Sequence, residues 1–140
     1  MKKLKFQKLA QYFSRKREVK FAYLFGSYTK DNTCPLSDVD IAVYLDDKIK
    51  EDERFNFRLE SMAQVSKLLK REDIDLIILN DSEISLAYEV IYYGKPIYSR
   101  DELKRIRFEA RAMSLYFDRK YYYDRHAKLL VEHIAKEGIL

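Results

Sequence analysis

Two stretches decide how this chain is read: Lys20-Phe21-Ala22-Tyr23-Leu24-Phe25-Gly26-Ser27 and Asp38-Val39-Asp40-Ile41-Ala42-Val43-Tyr44-Leu45. Each holds an apolar run of strand length, rich in aromatic and β-branched residues. Side chains alternate along a strand, so Asp38 and Asp40 point the same way. Two neighbouring carboxylates repel each other, and a divalent cation between them makes the pair tolerable. At the end of the preceding strand, Gly26 permits a close backbone approach and Ser27 adds a hydroxyl, a combination suited to a phosphate. A metal beside a phosphate cradle points to chemistry on a nucleoside triphosphate.

Working outward, residues 4–16 read as a helix with Phe6, Leu9, Ala10 and Phe13 on one stripe. Strands are expected over 20–25 and 39–45. Asp46-Asp47 suits a helix start, and the helix that follows runs to about Lys70 with Phe55, Leu59, Met62, Val65, Leu68 and Leu69 as its apolar stripe. Residues 74–79 form a third strand. A helix from Asp81 or Ser82 ends near Tyr93, with Gly94 as its stop. Pro96-Ile97-Tyr98 reads as a short edge strand. A long helical region starts at Asp101, with a break expected near 118–124, where three tyrosines interrupt the pattern. Strands one and two are close enough to pair antiparallel, and the helix before strand three permits a crossover. The expected class is α+β: a small mixed sheet, helices largely on one face and a long C-terminal helical region.

The Gly26-Ser27 and Asp38-Val39-Asp40 pattern resembles the signature of the DNA polymerase β-like nucleotidyltransferase superfamily. The chain is similar to its smallest members, the minimal nucleotidyltransferases found as antitoxins beside HEPN-domain ribonucleases. The resemblance covers about residues 20–123 and is strongest over 21–45. It implies a nucleotidyltransferase fold, two Mg2+ ions and ATP as substrate. It also implies a third carboxylate on strand three. Asp75 best matches that position, and Asp73, on the same face, is the competitor. Asp38, Asp40 and Asp75 are thus the expected catalytic and metal-binding residues, with Gly26, Ser27 and Lys30 on the nucleotide. Family members often carry an arginine after the Gly-Ser pair. Here the stretch is Tyr28-Thr29-Lys30-Asp31, and Lys30 is the available positive charge.

The expected activity is transfer of AMP from ATP to a tyrosine of a HEPN-type toxin, within a hetero-oligomer. The alternatives are a stoichiometric antitoxin that acts without turnover, or a nucleotidyltransferase acting on a small molecule or an RNA end. No Walker-type phosphate loop is present.

The 140 residues suit a single domain spanning 1–140. No apolar run approaches the roughly 18 residues of a membrane span. The lone cysteine, Cys34, excludes an internal disulfide and fits a reducing cytoplasm. His126 and His133 are too few for a zinc site. The net charge of +4 is unevenly placed, with eight basic residues and one acid in the first 20. That front is read as a solvated helix face, able to steer an acidic partner through Lys2, Lys3, Lys5 and Lys8. Direct binding of nucleic acid is not expected. Tyr121, Tyr122 and Tyr123, with Arg119 and Arg125, have the composition of a protein interface.

Overall fold

The computed structural model describes residues 2–26 and 39–137, with side chains from Phe6 onward. The elements follow in the order α1 (Lys2–Ser14), β1 (Val19–Phe25), β2 (Val39–Leu45), α2 (Glu51–Leu69), β3 (Ile74–Ile78), a 3-10 turn (Leu79–Asp81), α3 (Ile84–Tyr93), β4 (Lys95–Ser99) and α4 (Glu102–Glu137). The four strands form one mixed sheet in the order β3-β2-β1-β4. β1 pairs antiparallel with β2 and with β4, whereas β2 and β3 are parallel, joined by the α2 crossover. Pro96 lies on the edge strand β4, where a missing N–H costs no ladder bond.

The α+β class and mixed sheet agree with the sequence reading, but the helices divide between both faces. β1 is apolar on both sides. Ala22 and Leu24 join a core with Leu9 and Phe13 of α1 and Val65 and Leu69 of α2. Phe21, Tyr23 and Phe25 face the other way, against Val90 of α3 and Phe108 of α4. A strand with two apolar faces must be covered twice. The continuous run in β1 carried that signal.

The stripe of α2 also differs from expectation. Ser61, Val65 and Leu69 are its buried residues, while Phe55 and Leu59 are exposed. The small Ser61 lets α2 approach α1, where the Tyr12 hydroxyl donates to Gln64 Oε1 at 2.5 Å. The helix begins at Glu51, not at Asp46-Asp47, and three acids fill its first turn in accord with the dipole. Asp46 closes the preceding turn, accepting from Lys48 N at 3.0 Å. Tyr88 of α3 stacks on Tyr116 of α4, with ring centroids 3.9 Å apart.

Helix α4 runs unbroken through residues 118–124, contrary to the expected break. It contains no glycine or proline, and its tyrosines project from the helix without interrupting backbone hydrogen bonds. Tyr121, Tyr122 and Tyr123 are all more than half exposed. The first turns of α4 are tied to the sheet. Buried Tyr23 donates to Glu109 Oε1 at 2.7 Å, and Arg105 bridges Glu109 and Glu102 at 2.9 and 2.7 Å. Burial, reinforced by Glu109, raises the Tyr23 pKa well above its ordinary value. Among the described residues, no helix is long and apolar enough to cross a membrane.

The Arg105 guanidinium holds the Glu102 carboxyl at about 2, below its ordinary 4.5. A depressed carboxylate pKa means that the charged form is favoured in the folded state. Its stabilising effect is complete above pH 4.5 and is lost as pH falls towards 2. Thermal unfolding of wild type and Glu102→Gln should therefore differ at pH 6 and converge by pH 2. A gap in melting temperature that stays constant over this range would contradict the assignment.

Candidate active site

The end of β1 and the starts of β2 and β3 meet at one edge of the sheet. In the ladder, Phe25 pairs with Asp40, and Asp40 pairs in turn with Asp75. Asp40 shares its strand face with Ala42, and Asp75 shares its face with Ile77, so both carboxylates lie on the α3 side of the sheet. Asp75 is 52 % exposed, which leaves it open to an incoming group.

Gly26 follows β1 with φ +82°. A Cβ there would stand 2.1 Å from Asp40 Oδ2, so only glycine allows the chain to turn against this carboxylate. Gly26→Ala should therefore lower stability by about 1–2 kcal/mol from the left-handed backbone alone. It should also displace Asp40 and reduce activity. Denaturant unfolding and a transfer assay measure the two effects. An alanine variant with unchanged stability and activity would show that this approach is not required.

Asp73, just before β3, and Asp75, within it, have different surroundings. Asp73 is taken up by Arg71, whose Nε donates to Asp73 Oδ1 at 2.8 Å with a second contact from Nη2. Its backbone carbonyl accepts from Val39 N at 2.9 Å, fixing the start of the parallel ladder. Asp75 is the one beside Asp40. It also meets Arg58 of α2, whose Nη2 lies 3.6 Å from Asp75 Oδ1 and whose Nε donates to Leu76 O at 2.7 Å. Arg58 was not singled out in the sequence. No local pattern marks it, because only the crossover from α2 to the edge strand β3 brings it to Asp75.

Ser27, Lys30 and Asp38 lie outside the described residues. Among the described residues, no group of three or more His, Cys, Asp or Glu side chains is placed to hold a metal ion. Asp40 and Asp75 nevertheless supply an oxygen-only donor pair on adjacent strands, with Asp38 two positions before Asp40 in sequence. Hard cations such as Mg2+ take this kind of donor. Gly26 packs directly on Asp40 with no side chain of its own between them. The residues present therefore fit a magnesium site.

A glycine turn thus packs on a strand carboxylate, with a second carboxylate on the parallel neighbour. The chain belongs to the polymerase β nucleotidyltransferase family, whose model matches residues 7–103. It is similar to the protein adenylyltransferase MntA of Shewanella oneidensis, 27% identical over 99 residues that span 71% of this chain and 67% of the relative. Solved structures share the fold. One is a tri-AMPylated HEPN toxin of Shewanella oneidensis in complex with its MNT antitoxin, with a TM-score of 0.66, 21% identity and coverage of 96% of this chain and 99% of the matched one. Another is a toxin–antitoxin complex with AMP-PNP, with a TM-score of 0.68, 21% identity and coverage of 93% and 98%.

Proposed function

We propose that this chain is a protein adenylyltransferase antitoxin, moving AMP from ATP to a tyrosine hydroxyl of a HEPN-type toxin. The observation that carries the proposal is the pairing of Asp40 with Asp75 beside Gly26, in a chain of this family. The similar protein named an adenylyltransferase, and the similar antitoxin seen with an AMPylated toxin, support the choice of donor and acceptor.

In this reading Asp38, Asp40 and Asp75 would hold Mg2+, two ions in all. Bound there, magnesium would neutralise the phosphates and acidify the incoming hydroxyl. The chain's own residues set the geometry. Gly26 admits the triphosphate against the sheet edge, Ser27 donates its hydroxyl to a phosphate oxygen, and Lys30 adds positive charge. The acceptor oxygen attacks the α-phosphorus as the bond to the β-bridging oxygen breaks, and pyrophosphate leaves. Asp75, exposed and on the acceptor side, takes the hydroxyl proton. The rate gain comes from positioning and from charge stabilisation of this in-line displacement.

The exposed tyrosines of α4 offer the partner an aromatic surface, and the toxin is expected to reach the carboxylates within a hetero-oligomer in the cytoplasm. Incubating the purified chain with ATP, Mg2+ and a HEPN-type toxin should add the mass of one or more AMP groups to that partner. A tight complex without any mass gain would favour stoichiometric inhibition. Adenylylation of a small molecule or an RNA end, with the partner unmodified, would replace the acceptor and leave the nucleotidyl transfer.

A further inference from the structure

A cavity of about 820 Å3 lies between the sheet, α3 and the first half of α4. Tyr44 and Asp47 border it from the end of β2, and Leu79 and Asn80 border it from beyond β3. Asp40 and Tyr44 are four residues apart on one strand, so cavity and carboxylates are separated by about 13 Å of sheet. Crevices at the carboxyl ends of parallel strands are favoured ligand positions, and β2 and β3 end here.

The lining charges are unequally matched. Arg54 is held by both oxygens of Asp81, at 3.0 and 2.7 Å. Lys104 is held by Asp47 at 2.6 Å, and Asp101 accepts from the backbone N of Lys104 at 3.1 Å. The acids that line the cavity are thereby engaged. Arg107 and Arg111 also line it, one helical turn apart on α4, and neither has an ion pair or a side-chain hydrogen bond among the described residues. Two neighbouring guanidiniums repel each other, and each presents a planar fork matched to phosphate. Behind them the wall is apolar, with Leu79, Phe108 and Leu115. The Asn80 side chain is locked to both backbone groups of Leu45 at 2.9 Å, which keeps the rim fixed.

From this cavity we infer a second ligand site, distinct from the carboxylate pair, that takes a nucleoside phosphate. The phosphates fit the Arg107 and Arg111 forks and the nucleoside fits the apolar wall. The volume is within the range of small-molecule sites. Inorganic phosphate would leave the apolar wall unfilled. A nucleic-acid strand would meet Asp47 and Asp101 at the rim.

The test uses the full chain with EDTA, so that binding at the carboxylates is suppressed, and titrates ATP calorimetrically. Saturable binding is expected, weakened at least tenfold in R107A/R111A and unchanged in D40N. Both arginines are exposed, so the double variant should fold. Adenosine, which has the nucleoside but no phosphate, should not bind. Absence of ATP binding to the wild type, equal affinity in R107A/R111A, loss of binding in D40N, or adenosine binding as tight as ATP would each overturn the assignment. None of these outcomes depends on transfer to a toxin, so the proposed catalytic function is tested separately.

Discussion

Asp40→Asn is expected to reduce AMP transfer by about 10^3-fold, of the order produced by removing one transition-state contact in other enzymes. Asp40 lies between two neighbours, Gly26 on one side and Asp75 on the other. Asparagine keeps the size and so should keep the fold. It removes the charge that opposes Asp75 and that would hold magnesium. Like charges on adjacent strands destabilise the sheet when no cation lies between them. The variant should therefore melt at the same or a higher temperature than wild type in EDTA, even though it transfers AMP far more slowly. Asp38→Asn should lose transfer in the same way. A single-turnover assay with saturating ATP and Mg2+, run beside a melting curve, separates the two effects. Near-normal turnover in Asp40→Asn would remove the catalytic reading of this carboxylate.

What the sequence revealed and what it hid have one physical origin. Strand alternation is local and has a period of two, so β2 was legible to the residue and the face of Asp40 followed from it. The register that sets Asp75 opposite Asp40 is non-local, and the sequence could only narrow strand three to two aspartates. Helix faces were less secure. The stripe of α2 was read through Phe55 and Leu59, yet contact with α1 rotates Ser61 inward and leaves both exposed. Arg58 was invisible for the same reason, since its partner Asp75 lies across a crossover. The three tyrosines suggested a break because they carry no clear amphipathic pattern. A helix that projects beyond its sheet needs no such pattern, because no core constrains it there. The apolar run of β1 held the information that both faces are covered, since a strand solvated on one face alternates and β1 does not.

Asp75→Asn should cut transfer severely and Asp73→Asn should leave it near normal. Asp73 lies just before β3 and Asp75 within it, and their partners differ. Asp73 is satisfied by Arg71, and its backbone carbonyl anchors Val39. Asparagine at 73 keeps the backbone bond and weakens the ion pair. The expected cost is a loss of stability of about 1 kcal/mol or less, as for a partly exposed pair, with transfer near normal. Asp75 stands beside Asp40, is open to solvent, and is assigned to the acceptor hydroxyl. Its loss removes an interaction made while the hydroxyl gives up its proton. Turnover should then fall by about 10^2-fold or more, the size of a general-base contribution. The Michaelis constant for ATP should change little, since Asp38 and Asp40 remain on the triphosphate side. Kinetics of the two variants at varied ATP, with the partner protein in excess, give the comparison directly. If Asp73→Asn is the inactive one, the functional carboxylate lies two residues earlier and Arg71, not Arg58, is the cation that positions it.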